Sequence, residues 1–167
     1  DTNIKGNEMY LSTSNNYLNS KIIEKNRFHI FPKNTIIFPK IGAVIKLNKR
    51  RISQSECCID NNMMGLILTS REIPEFVYFY MILVNFDLYC SDGTIPSISE
   101  SQVGQITFVS PPISEQKNIV DILNKKLTLL EKLVFIEKKR VKTLIEYRQS
   151  LISSVVTGKV RVTRNMI

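Results

Sequence analysis

PPISEQKNIVDILNKKLTLLEKLVFIEKKRVKTLIEYRQSLISSVVTG, residues 111–158, is the stretch that decides the fold. From Ser114 to Thr157 it contains neither Gly nor Pro. Apolar residues recur in alternating steps of four and three at Leu123, Leu127, Leu130, Val134, Val141, Leu144, Leu151 and Val155, and Glu137 and Arg148 fill the remaining places of the repeat. Such a repeat is a heptad seam, and it predicts one long helix. Pro111 and Pro112 stop whatever precedes them, since proline lacks an N–H and restricts its neighbour. Ser114 is the expected N-cap, Glu115 suits the positive end of the helix dipole, and Gly158 suits the left-handed closing position. At about 1.5 Å per residue the helix would be roughly 60 Å long, whereas a compact domain of this size has a radius of gyration near 15 Å. The helix is therefore expected to project as a coiled-coil arm whose seam pairs with another helix, in preference to lying across its own domain.

Outward from the arm, the 167 residues allow one further domain. The expected organisation is α+β: a small mixed α/β domain over residues 1–112, the arm over 113–158 and a tail over 159–167. The charge is uneven. Residues 1–112 carry a net charge of +1 and residues 113–167 a net charge of +7. A basic chain points to an anionic partner such as nucleic acid, although lysines on a solvated coiled-coil face would give the same excess. The chain has no run of 18 apolar residues and opens on no basic-then-apolar leader, so neither a membrane span nor a signal peptide is expected. Cys57, Cys58 and Cys90 form no even framework, which fits free thiols in a reducing cytoplasm. With His29 as the sole histidine and no C-x-x-C pair, no metal site is expected.

In the first 112 residues, Ser12 to Asn16 form a polar loop, and Ser14, Asn15 and Asn16 carry groups able to bond base edges. Ile36–Phe38 and Ala43–Ile45 are expected strands, broken by Pro39-Lys40-Ile41-Gly42. Lys46, Lys49, Arg50 and Arg51 follow as the one local cluster of positive charge in this part, a candidate phosphate-binding loop. Asp60-Asn61-Asn62 reads as a turn between two strand-like runs. Residues 74–86 are expected to be helical, with Pro74 in the first turn and Phe76, Phe79, Tyr80 and Leu83 on the packed face. A turn containing Gly93 and a strand from Ile106 to Val109 lead into the arm.

Catalytic signatures are missing. The glycines build no nucleotide cradle, no G-x-S-x-G elbow exists, and no carboxylate pair suggests acid–base work. Ser110-Pro111-Pro112-Ile113 approaches the S-P-P-aromatic motif of DNA amino-methyltransferases, but Ile113 replaces the ring that would stack on a flipped base. The prolines are better explained as the junction into the arm.

Several segments together resemble the specificity subunit of type I restriction-modification systems: Phe38-Pro39-Lys40-Ile41-Gly42, Ile59 to Leu66, Gly93 to Ile98, Pro111 to Gln116, and Tyr147 to Ile152 running into Val156-Thr157-Gly158-Lys159. The resemblance extends over residues 34–162. It implies a target recognition domain, here short at its start, followed by a conserved spacer helix. It further implies no catalysis by this chain and reading of one half of a split double-stranded DNA site. The implied partners are the methylation subunits, which bind S-adenosylmethionine, and the restriction subunit. Family members usually carry two such domains and two helices paired antiparallel, so a single-domain chain is expected to form a homodimer or to pair with another specificity chain. The expected DNA contacts are Ser14, Asn15, Asn16, Lys40, Lys46, Lys49, Arg50, Arg51, Thr94 and Ser97, with base readout on loops of the globular part. The alternative is an assembly module that no longer reads DNA.

Overall fold

A computed structural model describes residues 8–91, 93, 95–161 and 163. The chain divides into two compact units, Asp1–Val120 and Asp121–Ile167. The class is α+β, with a small four-stranded sheet, short helices and one long C-terminal helix.

The sheet of the first unit contains β1 (Tyr10–Leu11), β2 (Ile36–Pro39), β3 (Arg51–Ser53) and β4 (Met63–Leu66), in the order β1-β3-β2-β4. β2 is central and buried along its whole length. It runs antiparallel to both neighbours, with Ile36 beside Ile52 and Leu66, and Phe38 beside Met64. β1 joins β3 in parallel, Tyr10 beside Ile52. The expected turn at Asp60-Asn61-Asn62 connects to β4: the Asn62 N–H donates to Asp60 Oδ1 (2.8 Å) and the Met63 N–H to the Asp60 carbonyl (3.1 Å). On β4, Gly65 lies under Phe31, and a Cβ there would stand 2.6 Å from the ring.

Helix α1 (Ser20–Asn26) was not foreshadowed by the apolar pattern; it is capped by Asn19, whose side chain accepts from the Lys21 N–H (3.0 Å). α2 (Pro74–Leu83) starts at Pro74 as expected and packs on the sheet. Its buried face is Phe76, Val77 and Met81, while Leu83 is 83% exposed, so the packed face is rotated from the one expected. Ile36, Phe38, Ile45, Ile52, Met64, Val77, Met81, Phe86 and Ile98 form the core. α3 (Glu100–Gly104) opens on a capping box between Ser99 and Gln102.

Three expected strands are absent, and the run before Asp60 makes only an isolated bridge from Cys57 to Phe31. Ala43–Leu47 is a 3₁₀ turn, bracketed by two positive-φ residues, Gly42 (φ 88°, ψ 176°) and the left-handed Asn48 (φ 52°), which deny the segment an extended course. Residues 106–109 pair with no strand; Phe108 instead packs edge-on against Phe76 and Tyr80.

α4 spans Ile113–Val156. It starts one residue before the expected cap. The Pro112 carbonyl accepts from the Glu115 (2.9 Å) and Gln116 (3.0 Å) N–H groups, and Ser114 lies inside the first turn. Beyond the helix Gly158 adopts φ 72°, the left-handed close expected of it. The first compact unit continues past the expected boundary at 112 to Val120, because Gln116 and Val120 are buried in it. Gln116 is completely buried. Its Oε1 accepts from the Ile73 N–H (2.8 Å), and its Nε2 donates to the carbonyls of Pro111 (2.8 Å) and Arg71 (2.9 Å) and to Ser110 Oγ (3.3 Å).

Candidate nucleic-acid interface

The register of the sheet places the expected DNA contacts at two ends. Since Ile37 faces Arg51 and β2 runs against β3, Lys40 after β2 and Lys49 before β3 lie at one end, beside the turn that enters β4. The chain leaves β1 at the other end, because Leu11 pairs with Ser53 in parallel, and Ser14, Asn15 and Asn16 follow from there. Asn15 and Asn16 are exposed and Ser14 half-buried.

At the first end a backbone strap gathers two of the candidates. The Lys40 N–H donates to the Asn62 carbonyl (2.8 Å), the Ile98 N–H to the Lys40 carbonyl (2.9 Å), the Gly42 N–H to the Pro96 carbonyl (2.7 Å) and the Ser91 N–H to the Ser97 carbonyl (3.0 Å). Lys40 and Ser97, both half-buried, thus share one edge, and Asn61 and Asn62 adjoin it, exposed on their turn. Thr94, named with them from the sequence, lies outside the described residues.

The basic cluster does not form a phosphate loop in which every member reaches solvent. Arg50 is 1% exposed. Its guanidinium carbon stands 3.8 Å from the centroid of the Phe86 ring and 5.4 Å from that of Phe38. Nη1 donates to the Lys49 carbonyl (3.1 Å), while Nε and Nη2 are buried without a hydrogen-bond partner among the described residues. Burial pulls its pKa down to about 10, which leaves it charged at neutral pH. Arg50 is therefore a core cation lying over Phe86 beside the edge-on Phe38–Phe86 pair, and its burial is at odds with the expected phosphate contact. Lys46 is exposed but pairs with Asp87 at 3.7 Å. Lys49 and Arg51 are half-buried, Arg51 opening β3 and donating from Nη1 to the Arg50 carbonyl (2.6 Å).

In the second unit, the seam residues Leu127, Leu130, Val134, Val141, Leu144, Leu151 and Val155 are all exposed, Leu144 by 58%, and Leu123 is half-buried. Leu129, Leu133, Phe135 and Ile136 add exposed apolar surface beside the seam, so this part of α4 carries a broader apolar face than the eight seam residues alone. The ion pairs Glu137–Arg140 (3.8 Å) and Lys142–Glu146 (3.9 Å) are solvent-exposed and contribute little.

The family described as the type I restriction modification DNA specificity domain matches residues 1–143. The chain belongs to this family. DNA sequence recognition is the role that the family description carries, and a specificity domain is not a catalytic one. Among curated proteins, the chain is similar to a putative type I restriction enzyme MjaX specificity subunit from Methanocaldococcus jannaschii, 24% identical over 114 residues that make up 66% of this chain and 26% of that protein. Among solved structures it is similar in fold to a chain described under complex assembly and conformational transition of the type I R-M system, with a TM-score of 0.64 and 16% identity over 75% of this chain and 31% of that one. The chain thus spans about a quarter of the length of the curated relative it matches. No group of three or more His, Cys, Asp and Glu side chains that could hold a metal occurs among the described residues, and none of their helices is long and apolar enough to cross a membrane.

Gln116 and Phe86 are the residues that the sequence reasoning passed over. Gln116 stands at the backward extension of the seam (116, 120, 123, 127), where an amide in an apolar repeat signals a buried polar anchor. Phe86 gave no local signal as a partner for Arg50, since the contact crosses 36 residues of sequence.

Proposed function

We propose that this chain reads one half of a bipartite double-stranded DNA site for a cytoplasmic type I restriction-modification complex. In that complex it scaffolds the methylation subunits, which bind S-adenosylmethionine, and through them the restriction subunit. The observation that carries the proposal is the extent of the family match, which takes in the whole first unit and continues along α4 to residue 143. Base readout falls to loop side chains, with Lys40, Ser97 and the Asn61-Asn62 turn at one end of the sheet and Asn15 and Asn16 beyond the other. Asn presents the paired donor and acceptor that adenine offers in the major groove. The exposed seam of α4 supports pairing with a second copy or with another specificity chain. Light scattering should give the mass of two chains, and Leu130→Asp with Leu144→Asp should return one, because an unpaired charge buried in such a seam costs several kcal/mol. A single-chain mass for the unmutated protein would remove the pairing.

One observation favours a second reading, an assembly module that does not read DNA. The first 112 residues are nearly neutral, and their basic cluster is partly consumed by the fold, with Arg50 in the core and Lys46 on Asp87. A gel shift on genomic fragments with methylation subunits present separates the two: the DNA-reading chain retards fragments and the assembly module leaves them free.

A further inference from the structure

We propose that Arg50 is a positioning residue for DNA specificity: it fastens residues 82–91 to the sheet and so sets the edge formed by Lys40 and Ser97. This rests on the DNA-reading function proposed above. Three contacts from the basic stretch after Gly42 go to the end of α2 and the short 3₁₀ turn Phe86–Leu88 that follows. Lys46 pairs with Asp87 at 3.7 Å, Asn48 Nδ2 donates to the Ile82 carbonyl, and the Arg50 guanidinium lies on Phe86. The first contact is exposed. The third is buried and joins a cation to an aromatic face in a desolvated place, where such contacts are strongest.

Phe86 is the root of the strap. Its carbonyl accepts from the Tyr89 (3.0 Å) and Cys90 (2.9 Å) N–H groups, and the Ser91 N–H then donates to Ser97. Ile98 and Pro96 in turn bond the backbone of Lys40 and Gly42. A displacement of Phe86 therefore passes along a short chain of hydrogen bonds to both candidate DNA contacts at this end of the sheet. The flat guanidinium explains why the place takes Arg: an ammonium has the charge without a planar face to lay over the Phe86 ring.

Hydrogen exchange by mass spectrometry on the full chain tests the fastening without DNA. In Arg50→Ala, the Gly42, Ser91 and Ile98 amides should exchange at least about ten-fold faster, while those of Ile52 and Ser53 change by less than about three-fold. Phe86→Leu should reproduce the pattern, and Arg50→Lys should give a smaller effect of the same distribution. Unchanged protection of the strap, or equal loss across strap and sheet, overturns the proposal. If Arg50→Ala does not fold, Phe86→Leu and Arg50→Lys decide in the same way. The consequence for specificity is read from sheared genomic DNA bound with methylation subunits. Neutralising a phosphate contact lowers the slope of log K against log salt by about one, whereas Arg50→Lys and Phe86→Leu should keep the slope and alter the methylated sequence. A lowered slope in Phe86→Leu, or an unaltered methylated sequence, counts against a positioning role. If the unmutated chain with its subunits retains no DNA at all, the proposed function fails, and the exchange data still decide whether Arg50 holds the strap.

Discussion

Replacing Gln116 by Leu should be among the most destabilising single changes available in the first unit. Leu has nearly the same volume and is apolar, so the cavity term is small and the loss is almost wholly one of hydrogen bonds. The Gln116 side chain serves the Ile73 N–H, the Arg71 and Pro111 carbonyls and Ser110 Oγ. A buried group left unsatisfied costs about 1–3 kcal/mol. The hydroxyl and the Arg71 carbonyl lie on exposed residues and can turn to water, which leaves the Ile73 N–H and the Pro111 carbonyl as the expensive orphans. Two such groups, less roughly 1 kcal/mol gained by burying the leucine, give a net loss of about 3 kcal/mol. With a urea slope of about 2 kcal/mol/M, the midpoint should fall by about 1.5 M at unchanged slope, measured at fixed protein concentration by circular dichroism and tyrosine fluorescence. Gln116→Glu should be worse at neutral pH, because a carboxylate would face two carbonyl oxygens, and should recover at acid pH, where the protonated acid can donate to one of them. A midpoint within 0.3 M of the unmutated protein for Gln116→Leu, roughly 0.6 kcal/mol at that slope, would refute the assignment of Gln116 as the anchor of α4 in the first unit.

Two other changes probe the sheet. Gly65→Ala should cost about 1–3 kcal/mol by forcing the Phe31 ring off β4, and Phe31→Leu in the same chain should restore part of the loss, both read as shifts in urea midpoint. The Tyr10 hydroxyl donates to Glu75 Oε1 (2.7 Å), and burial, together with that hydrogen bond and the carboxylate's charge, pushes its pKa up to about 12. The folded state therefore holds the proton more tightly than the unfolded chain. The contribution is complete below the ordinary tyrosine value near 10 and is lost as pH rises towards 12. Tyr10→Phe should flatten the stability loss between those pH values relative to the unmutated protein, and an identical fall in both would show that Tyr10 does not contribute.

The parts legible in the sequence were those set by local pattern. The heptad from Leu123 to Val155 foretold α4, Pro74 marked the start of α2, the Asp60-Asn61-Asn62 run made its turn, and Ile36–Phe38 became the central strand. What was not legible depended on distant partners. Ala43–Ile45 has the composition of a strand, but positive φ at Gly42 and a left-handed Asn48 close it into a 3₁₀ turn. The packed face of α2 turned because the sheet and Phe86 lie on the side of Val77 and Met81, which no helical period alone specifies. Arg50 looked like its neighbours Lys49 and Arg51; only the fold shows two aromatic rings against its guanidinium. Local signals were also there to be read. Ser99-Glu100-Ser101-Gln102 has the spacing of the capping box that opens α3, and Gln116 continues the apolar seam backward into the first unit.

If this chain selects DNA sequence, its presence decides which sites the methylation subunits modify. Methylome sequencing of cells carrying the methylation subunits, with and without the gene for this chain, tests it most directly. A bipartite methylated motif should disappear when the chain is removed, and one half of it should change when Asn15 and Asn16 or Asn61 and Asn62 are replaced by Ala. The same set of methylated motifs in the presence and absence of the chain would contradict it.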